Sequence, residues 1–309
     1  MLTGVLSGLV VSKLGLQASG GHCLLMLAEG VGSFRRLGTT TDDAPGVAYD
    51  KVARALGLDG GGDLERCAAA GDASAFRFPI PLRASRSCDF SFSGIKSSVM
   101  RAIQQHCREA GGPGSAELRI GDWRHSAEIM RRPEHAAVRA NISASFQHAL
   151  CVHIQERVHR AIRFAGGSEL AAGGGGSGGN VAGGDGSGVP DEIGVAPAVN
   201  GLVLSGGVAC NSVLRERVTR LADVFGVAVH CPSPALCVDN GVMIAWAGVE
   251  YHRIGQHQLT PAQAASLRYN PKWPFGTDAR AEVVAADIRL PSSSVFKALR
   301  RPTPAPGGS

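Results

Sequence analysis

A chain of 309 residues that is 44% hydrophobic can bury a core, and its length allows one or two domains. No stretch reaches the ~18 uninterrupted apolar residues needed to span a bilayer, so a soluble globular class without a membrane partner is expected. The net charge of +5 is modest but is built from 26 arginines against five lysines. Arginine suits phosphate and base stacking, which permits RNA contact, and an arginine-rich codon bias accounts for the excess equally well.

Met1 to Val11 is apolar, and no acidic residue precedes Glu29. A mitochondrial presequence is usually arginine-rich and amphipathic and a secretory signal has a basic start, so the segment suits neither and reads as the remnant of a strand. Residues 1–17 are therefore left as an unassigned N-terminal segment before a domain expected over 18–291.

Leu24 to Ala28 is a short apolar run, and the turn signal Gly30-Val31-Gly32 predicts that this strand pairs antiparallel with a neighbour. From Asp43 to Leu58 the pattern turns helical, with Val47, Val52, Ala55 and Leu56 apolar and Gly57 near the end. Asp50 lies inside this helix, where it can point toward a ligand or be simply solvated. Phe90 to Lys96 alternates, with Phe90 and Phe92 opposed to Ser91 and Ser93, which predicts a half-buried strand entering a turn at Gly94. Lys96 can meet phosphate or RNA, or stay a surface lysine. Arg139 to Phe164 predicts a long helix with Ile142, Phe146, Leu150, Ile154 and Val158 on one side. Its His148, His153 and His159 stand five and six apart, which does not put two ligands on one helical face. Residues 166–188 are rich in Gly, Ser and Ala and read as an inserted surface loop, cheap because closure entropy grows only logarithmically with length. The segment 292–309 reads as a mobile tail.

The strongest local signal runs from Gly201 to Asp239. The apolar run Leu202-Val203-Leu204 ends in Ser205-Gly206-Gly207, Asn211 takes the place of an N-cap, and Val213, Leu214, Val218, Leu221, Ala222 and Phe225 recur at helical spacing before a stop at Gly226. Val227-Ala228-Val229 is a further strand, and a second helix follows Asp239-Asn240-Gly241. Adjacent glycines let backbone approach a ligand, and a helix N-terminus beyond offers N–H groups to an anion. A nucleotide or phosphoryl compound is the natural guest, although such turns also serve as plain α/β connections. The eight cysteines form no Cys-x-x-Cys pair, which fits a reducing compartment. Cys210 has no base partner nearby in sequence and reads as a buried thiol.

Six blocks in order carry a resemblance. They are Ser19-Gly20-Gly21-His22-Cys23-Leu24-Leu25, Asp42-Asp43-Ala44-Pro45-Gly46, Asp50-Lys51-Val52-Ala53-Arg54, Asp89 to Lys96, Ser205 to Asn211 and Cys237 to Trp246. Together they resemble the tRNA N6-adenosine threonylcarbamoyltransferase family. The wording Gly21 to Leu25 and the stretch Arg268-Tyr269-Asn270-Pro271-Lys272 look most like its mitochondrial branch, which implies a mitochondrial location, or otherwise a cytoplasmic one.

The resemblance implies an α/β architecture, the duplicated ribonuclease-H-like fold of actin, sugar kinases and Hsp70 ATPases, with mainly the second lobe present. It implies transfer of threonylcarbamoyl from threonylcarbamoyl-AMP to N6 of the adenosine 3′ of the anticodon in tRNAs reading codons that begin with A. Those two molecules are the implied partners, with a homodimer also considered. By matching positions, Ser19, Gly20 and Gly21 would cradle the acyl-phosphate part, with Ala18 supplying backbone. Asp50 and Gly62 would hold the ribose or its neighbours, Gly60-Gly61-Gly62 standing where the family carries Pro-Gly-Gly. Asn211 would meet the adenosine end, and Asp239 would bind a divalent metal, iron or zinc. No His-x-x-x-His spacing, the family's other metal ligands, occurs in the chain, and transition-metal sites usually need three or four protein ligands. An incomplete, inactive chain is one expectation, and a non-catalytic nucleotide- or partner-binding homologue is the alternative. A literal metalloprotease fails for lack of His-Glu-x-x-His. One lobe alone should also expose apolar surface and be poorly soluble.

Overall fold

The computed structural model describes residues 12–110, 123–172, 199–256, 259–268, 275–291 and 298–299. Met1–Val11, and residues 173–188 of the glycine-rich insertion, lie outside the described residues.

The chain opens with strand β1, Lys13–Ala18, and continues through β2, Cys23–Gly30, and β3, Ser33–Thr39. The hairpin expected from the Gly30 turn is there, β2 and β3 pairing antiparallel around Gly32 at φ 75°. The helix expected from Asp43 is α1, Pro45–Ala55, with proline at its first position, where a missing N–H costs nothing. Then come α2, Gly61–Ala68, α3, Ser93–Glu109, α4, Trp123–Met130, and the long α5, Ala136–Ala172. Next, β4, Gly201–Ser205, leads to α6, Ser212–Val224, β5, Ala228–His230, and α7, Gly241–Arg253. Short α8, Pro261–Ala265, β6, Thr277–Asp278, and α9, Arg280–Ala285, complete the described elements.

The six strands form one sheet in the order β5-β4-β1-β2-β3-β6. β1 is central, antiparallel to β2 and parallel to β4, with Leu14 opposite Leu202 and Gln17 opposite Ser205. This corrects the N-terminal boundary, because a central strand starts at Lys13 inside the segment left unassigned. Its two faces alternate, Leu14, Leu16 and Ala18 on one and Lys13, Gly15 and Gln17 on the other. The first set is wholly buried.

That apolar face joins Leu25, Leu27, Leu202 and Leu204 in one core with Val52 of α1, Ile95 and Val99 of α3, and Phe146, Leu150 and Ile154 of α5. A fully buried side chain of this size contributes about 1.5–3 kcal/mol. α5 is buried around most of its circumference between Ile142 and Ala165, so its polar groups must find partners inside. Arg157 donates to the carbonyls of Pro81, Leu82 and Asp89, and Arg160 to those of Ser87 and Ile288, which stitches the 81–89 segment to the helix.

Four other expectations are revised. Phe90 to Lys96 is not a strand ending in a turn: Phe90 makes a single bridge to Thr40, and α3 has started by Ser93. Asp42 is the reason, since its carboxylate accepts the backbone N–H groups of Phe92 and Ser93 and the hydroxyls of Ser91 and Ser93, capping the helix from 50 residues upstream. Lys96 pairs with Asp43 rather than facing phosphate or solvent. The loop expected from residue 166 begins later, because α5 continues to Ala172 through two glycines that cost about 1 kcal/mol each. Within the expected tail, Leu299 is buried in the core and its carbonyl accepts from Gln155 and Arg217.

Candidate functional site

β1 and β4 are adjacent and parallel, so their carboxyl ends and the turns that follow emerge side by side. After β1, the turn Ser19-Gly20-Gly21-His22 is closed by its own serine. Ser19 N–H donates to the His22 carbonyl at 2.8 Å, and Ser19 Oγ accepts from Gly21 N at 3.3 Å and His22 N at 3.1 Å. After β4, Gly206 adopts φ 94°, and a Cβ there would stand 2.3 Å from the Ala18 carbonyl oxygen, so only glycine lets the two turns lie this close. A Cβ on Gly20, Gly21 or Gly207 would meet nothing within 4 Å, which leaves these backbones open to a ligand.

Two helices close the sides. α1 presses its N-terminus onto the first turn, Gly46 N–H donating to the Ser19 carbonyl at 3.2 Å. It also brings Tyr49 and Asp50 to the site. α2 brings Gly61, Gly62 and Glu65, and the start of α6 brings Asn211. The result is a cavity of about 320 Å³ lined by Gly20, Asp50, Gly62, Glu65, Cys210 and Asn211 among others. Among the described residues its lining holds two carboxylates and no basic side chain.

The nearly buried Asn211 has one job on each amide atom. Oδ1 accepts from Leu214 N at 2.9 Å, the N-cap expected from its position, and Nδ2 donates to Gln147 Oε1 at 2.8 Å. One lone pair and one N–H of the amide are left over. Glu65 Oε1 accepts from Ser212 N at 2.8 Å and Ser212 Oγ at 2.6 Å, placing negative charge at the positive end of α6. Tyr49 is buried with its ring edge-on to Phe146 at 5.1 Å, and burial raises its phenol well above the ordinary value.

Gly20, Asp50, Gly62 and Asn211 thus share one cavity, and Ala18, Ser19 and Gly21 belong to the strand end and turn on its border. Asp239 does not line it. It is exposed, directly before the N-cap Asn240 of α7, and among the described residues no three His, Cys, Asp or Glu side chains are grouped to hold a metal ion. These residues do not fit the divalent ion implied for Asp239. Cys210 is partly exposed on the cavity rather than buried, its thiol pushed up by burial first and then by Cys237. Glu65 was not anticipated. The only signal for it was its place one turn beyond Gly61-Gly62, on a helix whose glycine start opens toward the site.

Paired glycine turns at the carboxyl ends of adjacent parallel strands, beside a cavity, place this chain among α/β proteins of the kind whose strand ends form ligand clefts. The comparisons are more specific. The family model described as tRNA N6-adenosine threonylcarbamoyltransferase matches residues 5–184 and 189–246, and the chain belongs to that family. It is 34% identical over 271 residues to the probable tRNA N6-adenosine threonylcarbamoyltransferase, mitochondrial, of Arabidopsis thaliana, covering 85% of this chain and 48% of that one. It is 35% identical over 285 residues to the mitochondrial tRNA N6-adenosine threonylcarbamoyltransferase of Mus musculus, covering 89% and 58%. With the enzyme of that name from Granulibacter bethesdensis it shares 37% identity over 278 residues, 89% and 58% of the two chains. The chain therefore spans between about half and three-fifths of the length of these relatives.

Proposed function

We propose that this chain holds threonylcarbamoyl-AMP and serves the transfer of its threonylcarbamoyl group to N6 of the adenosine 3′ of the anticodon in tRNAs reading codons that begin with A. The observation that carries the reading is the cavity between the two glycine turns, with carboxylates and, among the described residues, no cation in its lining. A polyphosphate would meet repulsion there, whereas an adenylate with a single phosphoryl group has a ribose diol to donate to carboxylates and little charge to place.

In this proposal Asp50, with Gly62 beside it, takes the ribose hydroxyls. The spare amide positions of Asn211 take the adenosine end, and the open backbone of Ser19, Gly20 and Gly21, continued from Ala18, takes the acyl-phosphate oxygens. In the transfer, the N6 amine attacks the carbamoyl carbon, the bond to the phosphate oxygen breaks, AMP leaves with the electron pair, and the nitrogen gives up one proton to water. Backbone N–H groups near that oxygen would stabilise its growing charge. No step is assigned to a metal, because the described residues around Asp239 do not make a site for one.

The same reading takes the fold as mainly the second lobe of a duplicated ribonuclease-H-like architecture, supported by the single sheet in which β1 lies between antiparallel β2 and parallel β4, and places the protein in mitochondria, supported by the names of its relatives. A homodimer is checked by light scattering on the purified chain.

Titration with a non-hydrolysable threonylcarbamoyl-AMP analogue tests the proposal. Saturable binding, weakened about tenfold or more by Asp50→Ala, is expected, tenfold being about 1.4 kcal/mol. ATP binding as tightly as the analogue would overturn it. Labelled threonine appearing in tRNA would establish transfer, and binding without transfer would leave a nucleotide-holding homologue.

A further inference from the structure

Asn211 meets the cavity from the position just before α6, and the groups behind it decide how its amide is held. The backbone N–H of Leu214 needs an acceptor, so Oδ1 turns toward it at 2.9 Å and Nδ2 is left facing α5. There Gln147 Oε1 accepts from Nδ2 at 2.8 Å. Gln147 is itself buried and is not one of the residues lining the cavity. The next residue of α5, His148, accepts at Nδ1 from Arg217 Nη2 of α6 at 2.8 Å, so two neighbouring contacts hold the helices together at this point.

We infer, on the reading that Asn211 takes the adenosine end, that Gln147 is a positioning residue: it holds the Asn211 amide so that the site takes adenine in preference to guanine. The helix cap fixes only one atom of the amide and leaves its plane free to turn about that bond. The bond to Gln147 holds the other atom and stops the turn. It also uses up one of the two N–H groups of Nδ2, so a single donor and a single acceptor are left for the ligand. Adenine offers their complement on its N7 side, an amino donor beside a ring acceptor, whereas guanine offers two acceptors there. With Gln147 in place, guanine meets one donor and one opposing lone pair. Without it, both N–H groups of Nδ2 would be free to turn toward the two guanine acceptors. The residue behind the site thus sets which base the residue in the site accepts, as supporting groups do when they fix the rotamer of a binding residue.

Titration of the full chain with two non-hydrolysable threonylcarbamoyl-nucleotide analogues, one carrying adenine and the other guanine, tests this. The parent chain should favour adenine. Gln147→Met keeps the side-chain length and removes the acceptor. It should weaken the adenine analogue about three- to tenfold, the worth of one hydrogen bond, and leave the guanine analogue unchanged or bound more tightly. Gln147→Glu keeps an oxygen at that place and should recover most of the preference. Equal weakening of both analogues in Gln147→Met would make Gln147 a packing residue and overturn the inference, as would no change in either. A parent chain that binds both analogues equally overturns it too. Asn211→Ala separates the two levels of the reading. If it leaves adenine binding unchanged, the placement of the adenosine end fails, and the role of Gln147 with it. If it weakens adenine binding while Gln147→Met does not, the placement stands and the role of Gln147 alone is overturned. Both analogues are titrated into the same preparation, so the adenine-to-guanine ratio is insensitive to any unfolded fraction, and far-UV circular dichroism identifies a variant that has lost its fold.

Discussion

At Gly46 two backbones pass so close that a single methyl decides the outcome. A Cβ there would lie 2.6 Å from Gly20 Cα and 3.0 Å from both Gly20 N and the Ser19 carbonyl oxygen. Replacing a helical glycine by alanine ordinarily gains about 0.5–1 kcal/mol, but overpacking against backbone costs about 1–3 kcal/mol, and the second effect wins because all three neighbouring atoms are backbone. Gly46→Ala should therefore lower stability by about 1–2 kcal/mol in urea titration and shift the first glycine turn. Gly62→Ala is the contrast, since its Cβ would meet only the tip of Arg66 at 3.8 Å. It should leave stability unchanged or slightly raised while narrowing the cavity. Equal stability of Gly46→Ala and the parent chain would refute the close-approach argument. Glu65 acts at the same scale, its carboxylate holding both the amide and the hydroxyl of Ser212. Glu65→Ala should cost about 1–2 kcal/mol, and Glu65→Gln clearly less, because the amide oxygen still accepts.

Helices α3 and α5 make the chain sensitive to acid in two separate windows. Asp42 is pushed up by desolvation, but its four hydrogen bonds at the start of α3 outweigh that and hold it below the usual carboxylate value. Its contribution is thus complete above the unfolded value of about 3.9 and fades as pH falls through the lower folded one. The α5 histidines act earlier. Desolvation, then the nearby Arg157, depresses His153 to about 3, and desolvation, then Arg217, depresses His148 to about 4. Between those values and about 6.5 the unfolded chain binds more protons than the folded one, so stability falls as pH drops, by at most about 1.4 kcal/mol per pH unit for each histidine. Urea midpoints measured from pH 7.5 to 5 should show that slope, and His153→Gln should flatten it by about half. A slope unchanged in the variant would remove His153 from the account. Sequence reading saw α5, α1, the β2–β3 hairpin and the Asn211 cap because each is specified by near neighbours: apolar spacing, a proline start, a glycine turn, an amide three residues before its donor. It missed the start of α3 because the capping carboxylate comes from Asp42. It missed β1 because Lys13, Gly15 and Gln17 interrupt a strand whose identity depends on β2 and β4 pairing on both sides. Glu65 shares that cause, since its partner Ser212 lies 147 residues further along the chain.

At the scale of the whole molecule, α7 has little to pack on among the described residues. α7 carries Val242, Ile244, Trp246 and Val249 at 63%, 68%, 40% and 42% exposure, and among its residues only Glu250 is buried. A helix this apolar is normally inside a protein. Here it is capped by Asn240, which accepts from Met243 N at 3.1 Å, and Tyr251 near its end lies against Gly32 of the β2–β3 turn. Val238 and Leu236, 60% and 39% exposed, extend the surface into the preceding segment. Contiguous apolar patches above a few hundred Å² promote association. The chain alone should therefore self-associate, its apparent mass in light scattering rising with concentration. Val242→Glu combined with Ile244→Lys should restore a monodisperse species. Both positions are exposed, so the pair should change folding stability by no more than about 0.5 kcal/mol each. Improved dispersity at unchanged stability would assign association to the α7 face. If the doubly substituted chain aggregates as the parent does, the contact lies elsewhere. If instead it loses stability by several kcal/mol, α7 is packed more tightly than its exposure says, and the account of it as an uncovered helix fails.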